Sequence, residues 1–260
     1  MTHQFVRDKL YRIKGFMHPT DAYAFVNLLD DQAQRGVEGH VGEIGVFYGR
    51  SFALLGRAAR KTGDQAVGID LFDIDGQRAS VERTLTSEGL GETCTLLAKP
   101  SEQIDPNNLV ARFGRSRFFH IDGGHERHHL LADVALAEAI LAKDAIVVFD
   151  DFMNPQYPDL SAAIIDTLRE KADVFGCFGI TRAKLYVCRR GMEDLYASVL
   201  AQGPNPPGSN LDRFEFLGRP LTFLNQRIKE RAIYQALAGI GMGSVAEKIV
   251  RSREATFRRE

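Results

Sequence analysis

The stretch that decides the fold is "RFFHIDGGHERHH", residues 117–129, taken with "AIVVFDD", residues 145–151. Each contains a short apolar run that stops on carboxylates. The first stops on Asp122, followed by two glycines and His125; the second stops on Asp150 and Asp151. Between them, residues 126–142 carry Leu130, Leu131, Val134, Ala137 and Leu141 at helical spacing, with Asp133 and Glu138 on the wetter side. A strand, a helix and a second strand of these lengths make a crossover between parallel neighbours, whose carboxyl ends lie at one edge. Three acids and a histidine are therefore expected to converge there.

Reading outward, the same alternation continues. Apolar runs at 40–47, 65–70, 93–98, 174–180 and 184–189 read as further strands, and 51–61, 76–88, 101–113 and 160–172 as helices. The last two strands are joined only by residues around Thr181 and Arg182, too few for a crossover helix, so they are expected to be antiparallel. The sum is an α/β, Rossmann-like sheet of seven strands, six parallel and the seventh antiparallel, with helices on both faces. Residues 21–34 read as a preceding amphipathic helix capped by Thr20, and 192–200 as a following one. "GPNPPGSN" (203–210) reads as a linker or exposed loop, and 221–260 as a basic helical tail. The expected organisation is an N-terminal helical segment at 1–37, the sheet domain at 38–202, and a linker with a helical extension at 203–260.

Composition excludes several classes. With 44% apolar and 26% charged residues, the chain is an ordinary globular protein, and a net charge of −1 gives no global attraction to nucleic acid or anionic membrane. Cys94, Cys177 and Cys188 form no C-x-x-C pair and imply no disulfide framework. The opening "MTHQFVRDKLYRIKG" lacks an apolar core of the secretory type, and no apolar run approaches a membrane span. A cytoplasmic protein is expected.

Ligands of open parallel sheets lie beyond the carboxyl ends of the strands. The first strand runs into "GEIGVFYGRS", which offers Glu43, Gly45, Gly49 and Ser51. The dinucleotide spacing G-x-G-x-x-G is absent, and so is a Y-x-x-x-K pair; both absences argue against a nicotinamide enzyme. Asp70, ending the second strand, suits two ribose hydroxyls, with a turn Asp as the plainer reading and Asp73 and Asp75 as competitors. Ser101 is either a helix cap or an adenine contact. Asp122, Asp150 and Asp151 form an all-oxygen set suited to Mg²⁺, then Mn²⁺ or Ca²⁺. His125 is placed to act as a general base. A zinc site from His125, His128 and His129 is the weaker alternative, with a polar first helical turn as the plain one.

"EIGVFYGRS", "GIDLF" and "FFHIDGGHERHHLLADVALAEAILAKDAIVVFDDF" resemble class I S-adenosylmethionine-dependent methyltransferases, and most of all the metal-dependent macrolide-sugar O-methyltransferases and related natural-product enzymes. The likeness spans roughly residues 38–190. It implies that Asp122, Asp150 and Asp151 hold Mg²⁺ and that His125 is the base. It also implies that Glu43 and Gly45 line the methionine part of the cofactor and Asp70 binds its ribose, with Gly49, Ser51, Ser101 and Asp122 completing the cofactor set. One departure is the pair Lys143 and Asp144, where the family has glycines before its fifth strand.

The expected activity is Mg²⁺-dependent O-methylation of a small molecule, a sugar diol or a catechol, chelated through neighbouring oxygens. The alternatives are a metal-independent transferase and a non-catalytic scaffold on the same fold. Phe214, Phe216, Leu217, Phe223, Leu224 and Ile228, apolar residues of the tail, point to a homo-oligomer.

Overall fold

A computed structural model describes residues 3–257, with the side chains of 228–230 and 252–257 left out. Two helices, α1 (His3–Asp8) and α2 (Pro19–Gln34), precede the sheet. Strands β1 (His40–Ile44), β2 (Ala66–Asp70), β3 (Cys94–Ala98), β4 (Ser116–Ile121) and β5 (Leu141–Phe149) then alternate with α3 (Arg50–Thr62), α4 (Gln77–Ser87), α5 (Pro106–Phe113) and α6 (Arg127–Ile140). After β5 come α7 (Pro158–Glu170), β6 (Phe175–Ile180), β7 (Leu185–Arg189), α8 (Glu193–Gln202), β8 (Ser209–Phe216), β9 (Arg219–Gln226), α9 (Ile228–Gly239) and α10 (Gly243–Phe257).

The strand order is β3-β2-β1-β4-β5-β7-β6-β9-β8. β1 to β5 are mutually parallel, and β7 runs antiparallel between β5 and β6, as expected from the short turn before it. The sheet has nine strands rather than seven, because the expected loop and the start of the expected helical tail form a hairpin. Leu217 and Gly218, both at positive φ, make its two-residue turn, and β9 extends the sheet by parallel pairing of Thr222 and Phe223 with Gly179 and Ile180. Leu221 and Leu224 are buried on β9, Phe216 packs edge-on to Phe152, and Phe214 and Leu217 stay exposed. The side chain of Ile228 lies outside the described residues.

Four local expectations give way to identifiable physics. Pro19 occupies the first turn of α2, so the cap is His18, and Thr20 is buried inside the helix. Pro106 forces Asp105 out of helical geometry. Residues 101–113 therefore break into a 3-10 turn (Ser101–Gln103) and α5, which Asp105 caps through the Asn107 amide at 3.0 Å. α6 passes into β5 without a loop, so Lys143 and Asp144 lie within the strand, not in a turn before it. On α6, Leu131 is 43% exposed, while Asp133, expected on the wet side, is 3% exposed.

Two clusters cover the two faces of the sheet. One gathers α1, α2 and α3 with Phe118, Ile146, Val148 and Tyr186; the other gathers α6 and α7 with Phe119, Val147, Phe149 and Val187. The alternation along β4 and β5 is the period-two signature of strands covered on both sides. Among the described residues no helix is long and apolar enough to cross a membrane, and the three cysteines are free.

Candidate active site

The carboxyl ends of β1, β2, β4 and β5 open into one cavity of about 750 Å³. The backbone that follows these strand ends is unusual. Phe47, Phe72, Asp151 and Met153, just beyond these strands, all adopt positive φ between 51° and 62°. Non-glycine residues held there cost of order 1–3 kcal/mol each and cluster at functional sites.

At one end Asp70 ties two strand ends together. Its carboxylate accepts the Phe47 amide at 2.8 Å and the Phe72 amide at 2.7 Å. Each oxygen keeps a lone pair toward the cavity that it lines, so the turn role and a ribose role are compatible. Gly45 (φ +85°) also lines the cavity, but its freedom has a different cause from the one expected. A Cβ there would fall 1.7 Å from the Asp122 carbonyl oxygen, so glycine lets the ends of β1 and β4 touch. Ser51, in the first turn of α3, and Ser101 line the wall as well. Ser101 is not a helix cap: its hydroxyl donates to Asp133 at 2.5 Å. Burial pushes the Asp133 carboxyl up to about 6, against that bond. Two residues expected at the cofactor do not line the cavity: Gly49, which caps α3, and Glu43, which is fully buried beneath it.

Glu43 begins a buried polar chain. His120 Nδ1 lies 2.6 Å from Glu43 Oε1, and His120 Nε2 lies 3.0 Å from Lys184 Nζ. An ammonium only donates, so His120 Nε2 accepts and Nδ1–H donates to Glu43. Lys184 Nζ also donates to Asp150. Burial acts against the Lys184 charge, yet Asp150, Asp122 and Asp21 together raise its pKa. Burial likewise acts to raise Asp150, and the Lys184 ammonium overrides it, holding Asp150 well below the usual carboxylate range. Asp122 has no such cation of its own. Burial, then the neighbouring Asp150 carboxylate, pushes it well above that range.

On the other side of Asp122 stands His125. Its Nε2 is 3.0 Å from Asp151 Oδ2, and its ring stacks on Tyr157 at 3.7 Å and 6°. The second Asp151 oxygen accepts from Asn154 Nδ2 at 2.7 Å. The two glycines after Asp122 bring α6 close: a Cβ on Gly123 would meet Asp133 at 2.5 Å, and one on Gly124 would meet the His129 ring at 2.3 Å.

The expected ligands thus meet around Asp122, in two overlapping groups. Ligand atoms of Asp122, His125 and Asp151 lie within 4.8 Å of one another, and so do those of His120, Asp122 and Asp150. A divalent cation suits this chemistry. Of the three strand-end carboxylates Lys184 pairs with Asp150, while Asp122, half-buried in the cavity wall, is disfavoured as an anion by desolvation and by the neighbouring Asp150 charge. The zinc alternative is not assembled: His128 and His129 group with exposed Glu126, apart from His125.

Sequence reasoning missed Lys184, His120, Tyr157, Asn154 and the segment from Gly15 to His18, which walls the cavity. His120 had a signal, since it is a polar residue inside an apolar strand run. The others had none, because their chain neighbours do not mark them.

The strand order through β6 and the site at the carboxyl ends define a class I methyltransferase fold. Residues 43–152 match the family described as "Methyltransferase domain". Solved structures agree on the fold. The apo structure of CalS11, a TDP-rhamnose 3'-O-methyltransferase of calicheamicin biosynthesis, is similar at 21% identity and TM-score 0.51 over 64% of this chain and 79% of that one. The O-methyltransferase NovP is similar at 17% identity and TM-score 0.55, over 65% and 79%. An O-methyltransferase from Bacillus cereus in complex with SAH is similar at 13% identity and TM-score 0.52, over 67% and 83%. No curated protein sequence matches the chain.

Proposed function

We propose that the protein is an S-adenosylmethionine-dependent O-methyltransferase acting on a hydroxyl of a small molecule, with Mg²⁺ or Mn²⁺ as a second cofactor. The observation that carries this reading is the meeting, in one cavity, of the Asp122–Asp150 carboxylates and the His125–Asp151 pair with the Asp70 and Gly45 end of the sheet. At about 750 Å³ the cavity has room for the cofactor and a sugar-sized acceptor together. That O-methyltransferases share the fold supports the choice of reaction.

Asp70 and the walls at Gly45, Ser51 and Ser101 would hold the cofactor, and Asp122, Asp150 and Asp151 the metal. Bound there, the ion supplies Lewis acidity that makes an acceptor hydroxyl easier to ionise. The protein's own part is the proton. Asp151 accepts only, so His125 Nε2–H donates to it and Nδ1 is left as the basic nitrogen. The flat stack on Tyr157 fixes the ring plane. His125 then removes the hydroxyl proton as the methyl group passes from sulfonium to oxygen.

One observation favours a second reading, transfer without a metal. Lys184 already neutralises Asp150, so the acids could orient the acceptor directly. Methyl transfer from labelled S-adenosylmethionine to a panel of sugars and catechols, with and without EDTA, separates the two. Activity that persists in excess EDTA selects the metal-free reading. Absence of S-adenosylhomocysteine binding would leave only a scaffold on this fold. Self-association is part of the same proposal, since Phe214 and Leu217 are exposed on the hairpin. Light scattering that gives a 29.0 kDa monomer at micromolar concentration counts against it.

A further inference from the structure

One wall of the cavity holds two polar atoms that the chemistry above leaves unused. His18 and Asp21 both line the cavity, His18 half-buried and Asp21 fully buried. Pro19 starts α2, so His18 is its cap and Asp21 stands three residues on, in the first helical turn, where side chains at this spacing are neighbours. The Asp21 carboxylate is half satisfied. Oδ1 accepts the Thr181 hydroxyl at 2.5 Å and the Tyr186 hydroxyl at 2.9 Å, while Oδ2 has no partner among the described residues. His18 Nδ1 is buried without a partner as well.

Buried polar atoms are almost always hydrogen-bonded, so two neighbouring orphans on a cavity wall point to a group that arrives with a ligand. Both orphans can accept. Asp21 is acceptor-only, with two hydroxyls donating to one oxygen. Burial holds the His18 imidazole below its usual range, with Asp21 and Asp150 opposing and Arg231 and Lys184 assisting, so the ring is neutral. With its proton on Nε2, Nδ1 offers a second lone pair. Lys184 does not fill the place. Its ammonium is directed at Asp150 and His120, and it reaches Asp21 only through Thr181, whose hydroxyl accepts the Lys184 amide at 3.1 Å. Two acceptors call for several donors on one atom, and a carboxylate whose only donors are neutral hydroxyls favours that atom charged. A primary ammonium has both properties; a hydroxyl has one donor and no charge. The chain Asp21–Thr181–Lys184–Asp150 sets the place on the side of the strand-end acids rather than of Asp70. Both residues lie outside 43–152, the stretch with the family match, where selectivity for the acceptor is free to differ.

We infer that Asp21 and His18 receive a primary amine of the acceptor, so that the methylated molecule is an amino sugar or a similar hydroxyl-bearing amine; this rests on reading the cavity as a methyl-transfer site. The test is calorimetric titration of glucosamine, galactosamine and mannosamine, each beside its parent sugar, into the whole protein saturated with S-adenosylhomocysteine and Mg²⁺. At least one amino sugar should bind the wild type about tenfold or more tightly than its parent, the usual effect of a charged hydrogen bond. Asp21→Asn, which keeps an oxygen for Thr181 and Tyr186, should remove that preference. His18→Phe should reduce it by less, because it loses a neutral acceptor. S-adenosylhomocysteine affinity should be unchanged in both variants. Absence of amino-sugar binding, equal affinity for amine and parent, or a preference that survives Asp21→Asn would overturn the inference while leaving the methyltransferase reading in place. So would weaker S-adenosylhomocysteine binding in Asp21→Asn, which assigns the place to the cofactor's own amine. Failure of S-adenosylhomocysteine to bind the wild type would sink that reading and the acceptor assignment with it.

Discussion

His125 Nε2 stands 3.0 Å from Asp151 Oδ2, and that contact decides which nitrogen of the ring is free to take a proton. Nδ1 is the basic atom, and Asp151 and Tyr157 hold it in one orientation. His125→Ala should leave S-adenosylmethionine affinity almost unchanged. The rate should fall by roughly 10²–10⁴-fold, the usual contribution of a positioned general base. Single-turnover kinetics at saturating cofactor and Mg²⁺ read this. A rate within twofold of wild type would take His125 out of the mechanism.

The Lys184–Asp150 pair makes Asp150 and Asp122 unequal in their effect on stability. Asp150→Asn leaves a buried ammonium without its main counter-charge, a loss of about 3–5 kcal/mol. Asp122→Asn removes a carboxylate that burial and Asp150 already disfavour, so stability should hold or rise. Urea denaturation of the two variants beside Asp150→Asn/Lys184→Met should show the double variant regaining much of the loss. Equal destabilisation by the two single changes would contradict the pairing.

Asp133 gives a pH signature. Its carboxyl is raised from 3.8 to about 6 in the fold, mainly by burial. The native state therefore binds more protons than the unfolded chain between these values, and stability falls as pH rises. The contribution is fully present below pH 3.8 and lost by about pH 6, and it amounts to about 3 kcal/mol. Asp133→Asn keeps an acceptor for the Ser101 hydroxyl and removes the titration. Denaturation at pH 4 and pH 7 should show the wild type losing stability relative to the variant across that interval. Parallel curves would count against a buried, protonated Asp133.

Gly45→Ala should be far more damaging than Gly76→Ala, although both positions have positive φ. At Gly76 nothing lies within 4 Å of an added Cβ, so only the backbone cost of about 1 kcal/mol applies. At Gly45 the Cβ would strike the Asp122 carbonyl and part β1 from β4 at the cavity floor. Loss of S-adenosylhomocysteine binding in Gly45→Ala but not in Gly76→Ala, by calorimetry, is the expected result.

The strands and the converging acids were legible because strand periodicity and crossover length are local properties of the chain. Asp122, His125, Asp150 and Asp151 come together as their strand-end positions require. What stayed hidden depends on contacts between distant segments. Lys184 looks like an ordinary strand-start lysine until β7 pairs beside β5 and carries it to Asp150. Asp133 looks solvated until Ser101, from beyond β3, reaches it. The hairpin over 209–226 was masked by the turn-rich "GPNPPGSN" before it, although the Leu217–Gly218 turn between apolar runs was the available signal. Glu43 carried a family role into a place where, in this chain, His120 takes it.

The central claim is that the Asp122–Asp150 carboxylates hold a divalent ion beside a bound cofactor. Calorimetric titration of Mg²⁺ into protein saturated with S-adenosylhomocysteine, on the wild type and on Asp122→Asn, tests it most directly. The expected result is one ion per chain in the wild type and none in the variant, with the cofactor product bound equally by both. Absence of Mg²⁺ binding to the wild type, or the same binding in Asp122→Asn, would contradict it.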